Sequence, residues 1–144
     1  MKTLFGNDNK KLEIYTDGGA RGNPGPAAIG AVVGGKKYGE YIGETTNNVA
    51  EYKALAFALK KAKALIGKAK AKQTEVVCYM DSELLMRQLT GVYKIEDEGL
   101  QPLWLEIWNL KLDFKNVEFK HIPREKNKEA DKLVNQALDK KANL

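Results

Sequence analysis

The stretch Glu75-Val76-Val77-Cys78-Tyr79-Met80 decides the fold, and Asp81 follows it directly. Its apolar residues run almost without a break instead of alternating, which is typical of a strand buried on both faces of a sheet. Cys78 is the only cysteine, so no intrachain disulfide can form, and we interpret it as a core residue in a reducing compartment. The stretch therefore predicts a central strand of an α/β domain with helices covering its sheet.

The residues before this strand predict three further strands and a helix. Segments 11–16, 27–33 and 37–43 are β-prone and are separated by glycine-rich turns, as in an antiparallel meander. In segment 48–65, apolar residues recur every three or four positions while lysines occupy the other face, which predicts an amphipathic helix. Gly67 is a natural end for this helix.

The residues after the central strand complete the expected fold. They predict a short helix over 82–90, a loop over 91–99, a helix over 100–112 and a strand over 117–122. Asn127 can cap a last helix through its side chain. This order of elements predicts an α/β fold with a five-stranded mixed sheet flanked by helices.

Length and composition indicate one domain. The chain has 144 residues, which we divide into a short polar lead-in over 1–10 and a single domain over 11–144. Trp104 and Trp108 lie four residues apart on one predicted helix, and we expect them in the core, not at an interface. There is no stretch near the ~20 apolar residues of a membrane span. We therefore expect a cytoplasmic protein, without a membrane or an obligate protein partner, that is a monomer.

The charge balance favours a polyanionic partner without proving one. The chain has 24 Lys and Arg against 19 Asp and Glu, a formal net charge of +5. Many basic domains of this size bind no nucleic acid, so the charge alone leaves the question open.

Four acids occur in contexts that suit metal-binding carboxylates, and each also has an ordinary structural explanation. Asp17 precedes two glycines and resembles a hairpin residue. Glu51 and Asn48 fit a capping box. Asp81 can cap the helix that follows it, and Asp131 lies in the first turn of the last helix, where the helix dipole favours an acid.

Taken together, the acids predict a metal site. Asp17 and Asp81 each end a predicted strand, whereas Glu51 and Asp131 each begin a helix that packs back over the sheet, so all four can meet at one sheet edge. Such carboxylates repel one another unless cations neutralise them. Oxygen-rich clusters select Mg²⁺ or Mn²⁺, and two such ions can clamp the oxygens of a phosphodiester. Asp17 and Asp81, on strand ends, are the best candidates to anchor the ions.

The order and surroundings of these acids resemble those of type I ribonuclease H over nearly the whole chain. The matching motifs are Tyr15-Thr16-Asp17-Gly18 with Gly22-Asn23-Pro24-Gly25, Thr46-Asn47-Asn48-x-x-Glu51, Asp81-Ser82, Gly91-x-Tyr93-Lys94, and His121-Ile122-Pro123-Arg124-Glu125-x-Asn127-x-x-Ala130-Asp131. The resemblance implies a ribonuclease H-like fold and an endonuclease that hydrolyses the RNA strand of RNA/DNA hybrids. It also implies two Mg²⁺ ions, with Mn²⁺ as an alternative, and 5′-phosphate and 3′-hydroxyl products.

The resemblance assigns helping and substrate-binding roles as well. His121, the only histidine, would assist turnover without holding a metal. An enzyme that distinguishes RNA from DNA must contact the 2′-hydroxyl, for which backbone groups and amides are suited. The candidate substrate contacts are Gly18, Gly19, Ala20, Asn23, Thr46, Asn47, Asn48, Tyr93 and Lys94. The alternative explanation for the segment around Asn23 is that it forms a turn without contacting the substrate.

Departures from the better-known family pattern bear on the substrate contacts. Glu83 stands where many members carry Gln. A neutral amide contact with the substrate is thereby replaced by a charge repulsion, or the site gains an additional acid. Segment 91–99 is too short for the basic protrusion of some members, so the chain resembles the compact form. Two other functions stay open from sequence: a nucleic-acid binding module that does not cut, and a phosphodiesterase acting on DNA junctions or double-stranded RNA.

Overall fold

A computed structural model describes residues 11–143, so the predicted lead-in over 1–10 lies outside the described residues. The five strands form one sheet in the order β3-β2-β1-β4-β5. β1 pairs antiparallel with β2, and β2 with β3, whereas β4 runs parallel to both β1 and β5. The predicted five-stranded mixed sheet is confirmed. The strands are β1 (Lys11–Ala20), β2 (Gly25–Val33), β3 (Lys36–Thr45), β4 (Glu75–Met80) and β5 (Asn116–His121).

Helices cover both faces of this sheet. One face carries α1, which packs on β1 and β2 and also contacts α4 and α3; the other face carries α5, which packs on β1, β2 and β3. No helix in residues 11–143 is both long enough and apolar enough to cross a membrane. The helices are α1 (Asn47–Ile66), α2 (Lys68–Ala71), α3 (Glu83–Leu89), α4 (Gln101–Lys111) and α5 (Lys128–Ala142), with a 3₁₀ turn at Arg124–Lys126.

The alternation of side chains along β1 places the core on one side of the strand and Asp17 on the other. Leu12 and Ile14 are fully buried in a cluster with Leu55 and Leu59 of α1. Because successive side chains in a strand point to opposite faces, the odd-numbered residues of β1 face the side of α5. Asp17 is one of these residues.

Several predicted boundaries and one predicted burial need correction. β1 extends to Ala20 because its pairing with β2 continues past Thr16. The four-residue helix α2 was not predicted. Trp104 packs against the core, but Trp108 is 44% exposed and stacks on Trp104, so the prediction that both are core residues is wrong for Trp108. The absence of a helix from residues 90–100 agrees with the predicted loop.

Candidate active site

One polar groove of about 450 Å³ opens at the edge of the sheet where β1 and β4 end and where α1 and α5 begin. All four predicted acids line it. The lining residues are Asp17, Gly18, Gly19, Ala20, Arg21, Asn23, Asn47, Asn48, Glu51, Asp81, Arg124, Asp131, Val134, Asn135 and Leu138.

Asp17 and Asp81 come from neighbouring parallel strands. The β1–β4 ladder ends at the pair Tyr15 and Tyr79, so each aspartate lies two residues beyond the last pair. Asp17 still pairs with Gly30 of β2, which shows that it is a strand residue. The hairpin interpretation of Asp17 is therefore wrong.

A close contact between α1 and β1 brings Glu51 to this edge. A Cβ atom on Gly18 would overlap the backbone of Ala50, so only glycine allows the helix to lie this near the strand. α1 is capped by Thr46, whose Oγ1 accepts a hydrogen bond from the Val49 N–H at 3.2 Å. Glu51 therefore does not close a capping box with Asn48, and it lines the groove instead.

A second close contact brings Asp131 to Asp17 from the other face. Gly30, the partner of Asp17 across the β1–β2 ladder, lies against the carbonyl of Ala130, which a Cβ atom would overlap. The first turn of α5 thus lies against the strand position opposite Asp17. Asp131 follows Ala130 in that turn.

Asp81 is not needed as a helix cap. The Oγ of Ser82 accepts a hydrogen bond from the Leu85 N–H at 3.1 Å and so caps α3. The Oδ2 of Asp81 accepts one from the Nδ2 of Asn127 at 3.0 Å. The capping interpretation of Asp81 is therefore wrong. Asn127 is the N-cap residue of α5, as predicted, but its side chain makes no capping hydrogen bond.

The pKa values of two acids show that the carboxyl groups are close enough to repel. Burial, followed by the charges of Asp81 and Asp131, raises the pKa of Asp17 to about 8, and a hydrogen bond with Asp131 and the charge of Glu51 add to the rise. Burial also raises the pKa of Glu51, with a further rise from Asp81, while a hydrogen bond with Ser82 and the charge of Arg124 oppose it. The four acids thus form one electrostatic unit.

The chemistry of this unit fits hard divalent cations. Its donors are carboxylate oxygens, which Mg²⁺ and Mn²⁺ prefer, and a cation would relieve their mutual repulsion. No set of three or more Asp, Glu, His or Cys side chains in residues 11–143 is already arranged as a finished metal site. The fit therefore rests on donor type and repulsion, not on preformed coordination.

Six of the candidate substrate contacts line the groove, and two of them are held by internal hydrogen bonds. The Oδ1 of Asn47 accepts from the Ala20 N–H at 2.8 Å, and the Oδ1 of Asn23 accepts from the Asn47 N–H at 3.0 Å. The NH₂ groups of both amides have no hydrogen-bond partner within residues 11–143. The N–H of Ala20 is used within the protein, and Gly18 lacks a side chain because of helix packing.

The remaining predicted residues lie outside the groove lining. His121 is exposed at the end of β5 and pairs with Met80, the residue before Asp81. Tyr93 is 48% exposed and Lys94 is also exposed, both in the loop between α3 and α4. Thr46 serves as the cap of α1. Glu83 forms an ion pair with Arg87 at 2.8 Å, so its charge is compensated on α3.

Three polar residues of the groove were not among the predicted site residues. Arg124 belongs to the motif that begins at His121, and it lies in the groove, where its charge lowers the pKa of Glu51. Arg21 forms an ion pair with Asp139 at 2.6 Å, which links the end of β1 to α5, and Asn135 lies beside it. The sequence signal that could have identified these three residues is their position, because each lies in, or within a few residues of, a motif that carries one of the acids.

Comparisons with known proteins identify the relatives of this chain. A family model described as reverse transcriptase-like matches residues 15–137. The ribonuclease HI of Halobacterium salinarum is 38% identical over 135 residues, which cover 90% of this chain and 65% of that protein. A bifunctional protein of Mycobacterium tuberculosis is also 38% identical, over 136 residues, but this chain spans only 36% of its length.

Solved structures extend the likeness to the whole domain. LC11-RNase H1, isolated from compost by a metagenomic approach, is 49% identical with a TM-score of 0.84, and the match covers 92% of this chain and 99% of that one. The same protein in complex with an RNA/DNA hybrid is 50% identical, again with a TM-score of 0.84, and the match covers 90% and 98% of the two chains. Because LC11-RNase H1 is this similar along nearly its full length, the chain belongs to the ribonuclease H family.

Proposed function

We propose that this chain is an endonuclease that hydrolyses the RNA strand of RNA/DNA hybrids, leaving 5′-phosphate and 3′-hydroxyl ends. The observation that carries the proposal is the meeting of Asp17, Glu51, Asp81 and Asp131, from four different elements, along one groove. The hybrid bound to LC11-RNase H1 supports the choice of substrate.

Ribonucleases H are metal-dependent, and we propose two Mg²⁺ ions for this chain, with Mn²⁺ as a substitute. Asp17 and Asp81 would anchor the ions because two adjacent strands hold them, and Glu51 and Asp131 would complete the set of ligands. When bound, the ions would supply an activated water and stabilise charge on the phosphate. The protein's own contribution is to hold four carboxylates in place against their repulsion.

RNA selectivity is assigned to the amide side of the groove. The 2′-hydroxyl is both donor and acceptor, so fixed amide N–H donors can recognise it. Asn47 and Asn23 are oriented by their internal hydrogen bonds so that their NH₂ groups remain available. Asn48 and the backbone of Gly18 and Gly19 lie in the same groove and would contact the sugars beside them.

Outside the groove lining, four residues are given supporting roles. His121 pairs with Met80 in the β4–β5 ladder, and Met80 precedes Asp81. We propose that His121 shuttles a proton or assists product release near Asp81. Tyr93 and Lys94 would contact the sugar and phosphate of the DNA strand. Thr46 would act indirectly, because its side chain fixes the start of α1 next to Asn47.

A gel assay with end-labelled RNA/DNA, RNA/RNA and DNA/DNA duplexes, with and without Mg²⁺, tests the function. We expect Mg²⁺-dependent cutting of the RNA strand in the hybrid alone, and none by Asp81→Asn. Binding without cutting would favour a non-catalytic module, and cutting of RNA/RNA or DNA/DNA would favour another phosphodiesterase. Treatment of the labelled products with phosphatase and kinase would identify their ends.

The state and location of the protein are further proposals. We propose a monomer that acts in the cytoplasm, without a membrane or an obligate protein partner. Light scattering of the purified chain checks the first point, and fluorescence imaging of a tagged protein in its own cell checks the second.

A further inference from the structure

Asn127 bridges β1 and β4 at the point where their ladder stops. Beyond the pair Tyr15 and Tyr79, the two strands share no further ladder pairs. The Nδ2 of Asn127 donates to the Thr16 carbonyl at 2.8 Å and to the Oδ2 of Asp81 at 3.0 Å. Asn127 is 1% exposed; its hydrogen bond to Thr16 is buried, and the one to Asp81 is partly buried.

The Asn127 amide is oriented so that its NH₂ group donates to Asp81, which leaves its oxygen without a hydrogen bond from the described part of the chain. Both partners of Nδ2 are acceptors, so the NH₂ group must face them, and the Oδ1 of Asn127 has no partner among the described residues. A buried acceptor without a partner is destabilising, because the hydrogen bonds it made to water are not replaced. An asparagine at a helix N-cap ordinarily uses that oxygen to accept from the helix, but Asn127 makes no such bond.

The backbone of Asn127 adds a third connection. Its carbonyl accepts a hydrogen bond from the Asp131 N–H at 3.2 Å. One residue therefore contacts Asp81 itself, the carbonyl next to Asp17, and the backbone of Asp131. Asp81 and Asp131 line the groove, and Thr16 precedes Asp17, which lines it as well.

We propose that Asn127 is a positioning residue that fixes the carboxylate of Asp81. The Oδ1 of Asp81 is then left to face the groove and bind a divalent cation. The proposal rests on the proposed function, because it takes Asp81 as a metal ligand. Asn127 itself binds neither cation nor substrate. Its effect is transmitted through one oxygen of Asp81 and through the spacing of β1 and β4.

Asn127→Ala should therefore weaken cation binding as well as stability. Loss of a hydrogen bond that orients a ligand typically costs 10- to 100-fold in metal affinity. The measurement is the Mg²⁺ concentration that gives half of the Mg²⁺-induced rise in Tm, supported by calorimetric titration of Mg²⁺ without substrate. We expect this midpoint to rise at least about 10-fold, and kcat to fall at subsaturating Mg²⁺.

Thr74→Val is the matched control for the loss of a buried hydrogen bond. Thr74 is 3% exposed at the opposite end of β4, and its Oγ1 donates to the Lys70 carbonyl at 2.7 Å. This variant should lower Tm and leave the Mg²⁺ midpoint within twofold of the wild type. If Asn127→Ala behaves in the same way, with a lower Tm and an unchanged midpoint, its role is only structural and the proposal is overturned.

If Asn127→Ala fails to fold, nuclear magnetic resonance of the wild-type side-chain amides tests whether Asn127 responds to cation binding at Asp81. The Asn127 amide protons should exchange more slowly than those of the exposed Asn23 and should shift on addition of Mg²⁺. Rapid exchange, or no shift at saturating Mg²⁺, would overturn the proposal. Absence of Mg²⁺ binding and hybrid cleavage by the wild type would instead defeat the proposed function, so the two failures are distinguishable.

Discussion

Asp17 and Asp131 line one groove, where burial and then the charges of Asp81 and Asp131 raise the pKa of Asp17 to about 8. Asp17 belongs to the central strand of the sheet and Asp131 to the first turn of α5. The fold therefore holds two acids together that would separate if the chain were free to relax. The cost of this arrangement should be measurable in the metal-free protein.

Asp17→Asn should stabilise the metal-free protein at neutral to alkaline pH. The pKa of Asp17 is about 8 when folded and near 3.8 when unfolded, so the folded state binds more protons between these values. Stability from this group is thus complete at low pH and is lost as the pH rises towards 8. In EDTA at pH 8, we expect Tm to rise by roughly 3 to 8 °C, consistent with about 1 to 2 kcal/mol.

The pH dependence supplies the control for this prediction. The Tm difference between Asp17→Asn and the wild type should shrink steadily as the pH falls from 8 towards 4.5. Glu98→Gln, which changes an exposed loop acid, should show no such trend. An Asp17→Asn protein that melts below the wild type in EDTA at pH 8 would show that the acids do not repel as described.

The same substitution should remove activity. Asp17→Asn and Asp81→Asn each take away a charge that the cations need, and neither position supports the hydrophobic core. We expect hybrid cleavage in Mg²⁺ to fall below a few per cent of the wild-type rate, while hybrid binding, measured by fluorescence anisotropy in Ca²⁺, is retained. A variant that keeps its rate and its melting profile would remove that aspartate from the metal site.

Local patterns in the sequence predicted the elements well because each carries its own signal. The apolar run over 75–80 and the helical period of 48–65 depend only on neighbouring residues, and both elements formed. The motifs also placed the four acids at one sheet edge. The packing of Gly18 against α1 and of Gly30 against α5 could not be predicted, because each depends on two backbones distant in sequence.

The same limit explains the errors at single residues. Asn127 has the sequence position of a helix cap, and only the neighbouring strands reveal that its side chain turns towards Asp81 instead. Trp108 follows the helical period of a core residue, but α4 packs on α1 through a narrower face than the period suggests. In both cases tertiary contacts override a valid local preference.

Gly18→Ala should destabilise the fold because its Cβ atom would overlap the Ala50 backbone. Overpacking of this kind costs about 1 to 3 kcal/mol, or roughly 2 to 4 °C in Tm for each kcal/mol. Gly19→Ala is the matched control, since a Cβ there would meet only a Val134 methyl at 3.7 Å. Equal melting temperatures for the two variants would refute the close approach of α1 to β1.

His121→Ala should slow turnover without preventing metal binding. A positioned acid or base contributes about 10²- to 10⁴-fold, and an exposed helper should lie at or below the low end, so we expect kcat to fall roughly 10- to 100-fold. KM for the hybrid and the Mg²⁺ midpoint should stay close to wild type. Complete loss of activity, or a large rise in KM at unchanged kcat, would contradict this role.

Lys94→Ala should lower the salt dependence of hybrid binding. The loop between α3 and α4 contains no helix and leaves no room for a basic protrusion, so few phosphate contacts are expected there. Each neutralised phosphate of duplex DNA adds roughly 0.9 to the slope of log K against log salt, so about three or four contacts predict a slope near 3 to 4 in magnitude. Lys94 is exposed in that loop, and its loss should reduce the slope by about one.

Anisotropy across a salt series in Ca²⁺ measures both slopes. Lys72→Ala, which changes an exposed lysine beside α2, should leave the slope unchanged. An unaltered slope in Lys94→Ala would exclude this lysine from the binding surface, and a wild-type slope near 8 would reveal another basic surface.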